Sequence, residues 1–415
     1  MKAEIIAVGS ELTSGQNLNT NSQWLSRRLA EIGIPVRWHT TLADDLEENV
    51  QAFQVARGRA RLVLITGGLG PTQDDLTREA LAKFAGVELI FHEPSYEQIK
   101  QLFASRNRPM PERNRVQALL PAGSEPLPNA RGTAPGIWLP VGDAVFVALP
   151  GVPGEMHAMF EAEVKPRIQR WAGATGVLVE RKINCFGAGE SAIEAKLLDL
   201  TRRGHVPEVG ITVSDATVSL RIIAHAPDRA SALRQIEPVE RTIRERLGEL
   251  VYGVDEEDLQ HAVAKLLAEK RQTLAVAESV TGGLIAHRLT EVAGVSAHFR
   301  GGLVAYDNSV KAEWLAVPQR LLDEHGAVSP QVAEAMAVGC RTRFRTDLAL
   351  AATGLAGPGG GTPDKPVGLA YVALAWAGGV KSVASNWPAT RPEIQSRTAK
   401  VALNLARLHL LSLPG

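Results

Sequence analysis

Hydrophobic positions in residues 1–171 fall into short continuous runs separated by stretches of helical period. "AEIIAV" (3–8), "RLVLIT" (61–66) and "VFVAL" (145–149) read as strands buried on both faces. Between them, "NSQWLSRRLAEIG" (21–33) has an amphipathic helical period and stops at Gly33. "DDLTREALAKFAG" (74–86) and "PGVPGEMHAMFEAEVKPRIQRW" (150–171) repeat that alternation. Apolar strands between helices predict a doubly wound parallel sheet, an α/β fold that collects ligands at the carboxyl ends of its strands. Those ends carry "GSELTSGQ" (9–16), "TGGLGPTQDD" (66–75) and "PGVPGEM" (150–156).

The order changes over residues 176–252. "VLVERKINCF" predicts a strand, "ESAIEAKLLDLTRR" one helix, "EVGITV" and "TVSLRIIAHA" a hairpin, and "RASALRQIEPVERTIRERL" a second helix that Pro238 bends or interrupts. This is a small α+β module. Residues 255–415 return to α/β, with strands in "TLAVAES", "HFRGGLVAY", "LALAATG" and "GLAYVALAW". "DEEDLQHAVAKLLAEKRQ" is a helix with acids at its start, which suits the helix dipole. The last helix opens at "TRPE", where Thr390 and Glu393 fit a capping box. Ile394, Val401, Leu405 and Leu408 predict its buried stripe, packed on the sheet or on a second subunit. Apolar helix faces at the domain ends make a homodimer the expected assembly.

With 415 residues, the chain exceeds a single core and predicts two or three domains. Lys+Arg and Asp+Glu each number 45, so the net charge is zero. A polyanion binder carries a basic excess, so this balance disfavours nucleic acid as a partner. Cys185 and Cys340 form no C-x-x-C, which argues against a disulfide scaffold or zinc site and suits a reducing cytoplasm. The N-terminal apolar run is too short for a signal peptide, and no run reaches the ~20 residues needed to span a bilayer. His287, His298 and His325 lack metal-ligand spacing.

Candidate chemistry in the third segment lies in "AESVTGG" (277–283), "GGLVAYDNSVK" (301–311) and "TGLAGPGGGTPDKPVG" (353–368). Taken singly, Ser279 between a strand and a helix reads as an N-cap. Tyr306 reads as a half-buried aromatic, Lys311 as a solvated lysine, and the glycine run as a rigid turn or a phosphate cradle. Together, and with "GAVS" (326–329), they resemble the CinA family, whose C-terminal domain is a nicotinamide mononucleotide deamidase. The resemblance implies hydrolysis of the carboxamide to nicotinate mononucleotide and ammonia, without a cofactor, by Ser279, Tyr306 and Lys311. A lysine base must be neutral, and its reference pKa of about 10.4 has to be lowered by desolvation or a nearby cation. Neutral Lys311 could then take the Ser279 proton directly or through the Tyr306 hydroxyl. Main-chain N–H groups of Thr281, Gly282 and Gly283 are the expected oxyanion donors. Thr353, Gly354, Gly357, Gly359 and Gly360 form the expected phosphate loop, assisted by Arg391 or Arg397.

In the first segment, "TGGLGPTQDD" reads either as a glycine turn with Thr72 and Asp75 as a capping pair, or as a phosphate loop whose acids bind a divalent cation such as Mg²⁺. "GGLGPTQDDLTREA" and "LADDLEENV" resemble the molybdopterin-binding fold shared by molybdenum cofactor enzymes and CinA proteins. "LPGVPGEM" is the more CinA-like of the three motifs. In CinA proteins this implies metal-dependent hydrolysis of ADP-ribose to AMP and ribose 5-phosphate. It places the acids at Asp75, then Asp44, then Glu155, and the substrate loop at Gly67, Gly68, Gly70 and Thr72.

The middle segment resembles a KH-like module, but Gly187-Ala188-Gly189-Glu190 is no G-x-x-G clamp, and a spacer or dimerisation role is expected. The whole predicts a cytoplasmic, bifunctional nucleotide hydrolase. Its rivals are a molybdopterin enzyme with an inert C-terminal domain, and a non-catalytic binding protein linked by the family name to DNA uptake or damage.

Overall fold

The continuous apolar runs of the N-terminal segment show no alternation because both faces of their sheet are covered. In the computed structural model, which describes residues 1–173 and 176–414, the chain parts into two units, Met1–Val179 with Ala224–Arg234 and Glu180–Ile223 with Gln235–Gly415. Gly415, the end of the expected third domain, lies outside the described residues.

The first unit is built on β1 (Ala3–Val8), β2 (Val36–Leu42), β3 (Leu62–Thr66), the small β4–β5 pair (Leu89–Phe91 and Leu119–Pro121), β6 (Glu125–Leu127), β7 (Gly136–Val141) and β8 (Ala144–Leu149). The main sheet runs β2-β1-β3-β8-β7-β6. Its β2, β1, β3 and β8 are parallel, whereas β7 and β6 add an antiparallel edge absent from the expected all-parallel sheet. Alternate residues of β1 and β3 enter different cores. Ile5, Leu62 and Leu64 pack with Met156 and Phe160, while Ile6, Val63 and Ile65 pack with Phe53 and Leu81. Asp45 caps the helix Leu46–Arg59 through the Glu48 N–H, and Gly86 ends the helix Thr77–Ala85 in the left-handed region.

The middle segment forms β9 (Val177–Cys185), β10 (Glu208–Ser214), β11 (Thr217–Ala226) and β12 (Val251–Val254), in the order β10-β11-β9-β12. The expected hairpin is present, and β12 is an addition. "ESAIEAKLLDLTRR" makes two short helices, Glu190–Glu194 and Leu198–Thr201, where one was expected. Pro238 sits inside an unbroken helix, Arg229–Leu247.

The last sheet comprises β13 (Leu274–Glu278), β14 (Phe299–Val304), β15 (Leu348–Gly354), β16 (Leu369–Trp376) and β17 (Gly379–Asn386), in the order β14-β13-β15-β16-β17. β14, β13 and β15 are parallel, while β16 and β17 are antiparallel. One face presents Ala275, Ala277, Ala349 and Ala351 to the helix Pro330–Phe344. These small side chains let that helix lie close. The opposite face carries Leu274, Val276, Leu348 and Leu350 beneath the helix Arg391–Ser412. The Thr390–Glu393 capping box forms as expected. The buried stripe of that helix runs through Ile394, Ala402, Leu405, Ala406 and Leu410, while Val401 and Leu408 are only half-buried at its margins.

Candidate active sites

The parallel register of β13 and β14 brings Glu278 opposite Val304, and the Ala305 N–H donates to the Glu278 carbonyl at 2.7 Å. Ser279 and Tyr306 therefore leave neighbouring strands at adjacent positions. Ser279 is 9% exposed, and its N–H donates to the Ala352 carbonyl of β15.

Ser279 does not cap the helix that follows. That helix is Leu284–Thr290, with Gly283 at its N-cap and no side-chain bond from that residue. The capping work falls to the Glu278 carboxylate, which accepts from the N–H groups of Gly283 and Ile285 at 3.0 Å and Ala286 at 2.8 Å. At 1% exposure, Glu278 is a buried charge neutralised by the helix terminus. Sequence reasoning missed it, although an acid ending an apolar strand ahead of two glycines was the signal available.

This capping corrects the expected oxyanion set. The Gly283 N–H is spent on Glu278, and the Gly282 N–H closes a turn to the Ser279 carbonyl at 3.2 Å. Thr281 is the remaining member. Its hydroxyl is buried and lacks a hydrogen-bond partner among the described residues.

Lys311 lies in the helix Asn308–Leu315, whose N-cap is Asp307. Rather than being solvated, it is 1% exposed. Its Nζ donates to the Tyr306 carbonyl at 2.9 Å. Burial pushes the amine below the ordinary lysine value, opposed by the charge of Asp307. Tyr306 is 60% exposed, not half-buried. Its hydroxyl accepts from Arg391 at 2.8 Å, so that phenol is tied to a guanidinium instead of to Lys311. The same guanidinium donates to the Gly357 carbonyl at 2.9 Å, joining the helix start to the glycine loop.

Within that loop, Gly359 and Gly360 are exposed. Thr353, expected to bind substrate, is instead fully buried, and its hydroxyl donates to the Ala327 carbonyl at 2.8 Å. Gly354 pairs with Ala370 inside the sheet. Both serve the strand end. Arg397 is bound to Asp215 at 3.3 Å and Glu393 at 3.0 Å, so it is committed away from the loop.

At the carboxyl ends of β1, β3 and β8, a cavity of about 390 Å³ is lined by Gly67, Gly68, Gly70, Asp44, Asp75 and Glu155, together with Glu11 and Asp74. Gly67 has φ 101°, and a Cβ there would collide with the Val8 carbonyl oxygen. The Asp75 carboxylate accepts from the N–H groups of Gly70 at 2.7 Å and Thr72 at 2.9 Å, and from the Thr72 hydroxyl. These are the bonds of the turn reading. Asp44 accepts from the Ser10 N–H and hydroxyl, each at 2.8 Å, and Glu155 from Asn129 at 2.7 Å. Among the described residues, no group of three or more His, Cys, Asp or Glu stands ready to hold a metal ion. The donor chemistry still fits a cation brought in with a ligand, because five carboxylates and no Lys or Arg line the cavity. Beneath the loop, the buried Arg78 donates to the carbonyls of Leu69 at 2.8 Å and Gly70 at 2.9 Å, a support that sequence reasoning passed over.

Comparison with known proteins covers all three segments. Residues 4–170 match the family model described as "Probable molybdopterin binding domain", 180–253 the "Damage-inducible protein CinA KH domain", and 256–410 the "CinA C-terminal domain". A CinA-like protein of Dictyoglomus thermophilum is 44% identical over the full length of both chains. A CinA-like protein of Frankia casuarinae is also 44% identical, over 100% of this chain and 98% of its own. Among solved structures, the protein CinA from Thermoplasma acidophilum is 37% identical with a TM-score of 0.38, covering 40% of this chain and 96% of its own.

Proposed function

The chain belongs to the CinA family, and on that premise we propose that it is a bifunctional hydrolase of pyridine nucleotides. Its C-terminal site deamidates nicotinamide mononucleotide, and its N-terminal site hydrolyses ADP-ribose. The observation that carries the first activity is the desolvated amine of Lys311, bonded to a main-chain carbonyl beside the strand end that bears Ser279.

Neutral Lys311 accepts the Ser279 hydroxyl proton as Oγ adds to the carboxamide carbon. The Thr281 hydroxyl, free to donate, stabilises the developing oxyanion. Lys311 returns the proton to the amide nitrogen, the C–N bond breaks and ammonia leaves. Water, deprotonated by the same amine, then cleaves the acyl ester, releasing nicotinate mononucleotide and restoring Ser279. The exposed loop around Gly357–Gly360, with Arg391 at its edge, suits the 5′-phosphate. Incubation with nicotinamide mononucleotide tests this reading. Ammonia and the nicotinate product form in wild type and not in Ser279→Ala; equal release by both proteins overturns the assignment.

For the N-terminal cavity, the charge of its walls supports the metal-dependent reading. A diphosphate is repelled by five carboxylates unless a cation accompanies it. A divalent ion would neutralise the diphosphate and lower the pKa of a water. Asp75 and Asp44, then Glu155, would hold it, while the glycine turn at Gly67–Gly70 lets main chain approach the phosphates. The match of residues 4–170 to a molybdopterin binding model favours a second reading, pterin binding in the same cavity. ADP-ribose turnover that stops with EDTA supports hydrolysis. Molybdopterin binding without such turnover supports the alternative.

A further inference from the structure

The tip of the β10–β11 hairpin is a two-residue turn, Asp215 and Ala216, with φ of 46° and 60°. Aspartate is one of the few residues favoured in that conformation. The tip meets the helix Arg391–Ser412. Ala216 packs on the core beneath it, and the Asp215 carboxylate accepts from the Ser396 hydroxyl, from Arg397 Nε at 3.3 Å and from Lys400 Nζ at 2.9 Å. Lys400 also donates to the Asp215 carbonyl at 2.7 Å. Burial alone would raise this carboxyl, but Ser396, Lys400 and Arg397 together hold it below the ordinary value. The contacts continue toward the deamidation site. Arg397 pairs with Glu393 at 3.0 Å, and Glu393 caps Thr390 by accepting its N–H at 2.9 Å. That capped turn carries Arg391, whose guanidinium holds the Tyr306 hydroxyl and the Gly357 carbonyl. From the other side, Arg288 of the helix after Ser279 donates to the Ser396 hydroxyl at 2.6 Å. The middle module thus grips the same turns that shape the candidate site.

We propose that Asp215 is a positioning residue for deamidation, fixing the first turns of the C-terminal helix so that Arg391 stays on Tyr306 and the glycine loop. This rests on the deamidase reading for its kinetic consequence, and on the contacts alone for its structural one. Without the Asp215 charge, Arg397 keeps only Glu393 as an ion-pair partner and Lys400 only the Asp215 carbonyl and the Thr217 hydroxyl, so the capped turn opens more often and Arg391 is held less firmly. The effect falls on phosphate capture, not on the Ser279–Lys311 chemistry.

The test uses the full chain with Asp215→Asn, which suits the turn but lacks the charge, alongside Asp215→Glu, Arg391→Ala and the Asp215→Asn/Arg391→Ala double variant. Amide hydrogen exchange over 390–398 and 355–361 should be at least about fivefold faster in Asp215→Asn. KM for nicotinamide mononucleotide should rise about fivefold with kcat within twofold. Asp215→Glu should recover part of the loss, and the double variant should match Arg391→Ala, because coupled residues are not additive. Unchanged exchange overturns the proposal whether or not the protein deamidates anything. Faster exchange with unchanged KM, or a kcat loss equal to the KM effect, overturns it too. A wild type inactive on the mononucleotide refutes the deamidase reading instead, and exchange then decides the latch by itself.

Discussion

Lys311 and Tyr306 meet through the main chain: the amine lies 2.9 Å from the tyrosine carbonyl oxygen, while the phenol is turned away to Arg391. This separates two roles that the motif alone merged. On the proposed reading, the amine would act on Ser279 without a phenol relay, and Tyr306 would serve with Arg391 at the edge of the glycine loop.

The first prediction concerns the amine. Because burial depresses the Lys311 pKa, the unfolded chain binds a proton that the native chain resists, and stability rises with pH between the native and unfolded values. Below the native value the full penalty applies. Lys311→Met, of similar length and uncharged, should abolish deamidation yet melt at or above the wild-type temperature at neutral pH. In wild type, kcat/KM should climb with pH through the depressed pKa as the base becomes neutral. Flat pH dependence, or a fully active methionine variant, would reject Lys311 as the base.

Glu278 provides the second. Its carboxylate accepts three main-chain N–H groups in a dry site, so Glu278→Gln turns an amide toward one of those donors. Hydrogen bonds to charged groups contribute about 1.5–3 kcal/mol, and a loss of that order is expected in chemical denaturation of the C-terminal unit. Turnover should fall as well, because the Ser279 turn is built on the same bonds. A variant with unchanged stability would show that the cap is dispensable.

Arg391 supplies a third. Arg391→Ala should raise KM for nicotinamide mononucleotide by about tenfold or more, the value of one charge-assisted bond. Turnover of the dephosphorylated nucleoside should be little affected. Equal effects on both substrates would remove Arg391 from phosphate recognition.

The fourth separates the two sites by metal. EDTA, or Asp75→Asn, should abolish ADP-ribose hydrolysis and leave deamidation intact. Loss of both activities on chelation would place a metal in the deamidation step as well.

Much of this architecture was legible in local patterns. Runs buried on both faces produced β1, β3, β8, β13 and β15 without ambiguity, and the Thr390–Glu393 cap was readable because its partners are three residues apart. Two edge strands, β2 and β17, and the internal strand β7 escaped notice. β2 and β17 alternate between half-buried and exposed, and β7 contains Pro140. β2 and β17 lack the continuous apolar run of a strand buried on both faces, Pro140 interrupts the run of β7, and pairing is what makes them strands.

By itself the sequence determined the alternation of strands and helices, the order of the three segments, and the presence of a serine and a glycine loop at strand ends with a lysine in a following helix. These follow from side-chain period and from interactions within one turn. Only the tertiary structure decided that Lys311 is dry, that Glu278 instead of Ser279 caps the helix, and that Arg391 reaches Tyr306 across a separation of 85 residues. Desolvation and long-range hydrogen bonding depend on what the rest of the chain packs around a residue, and no local window contains that information.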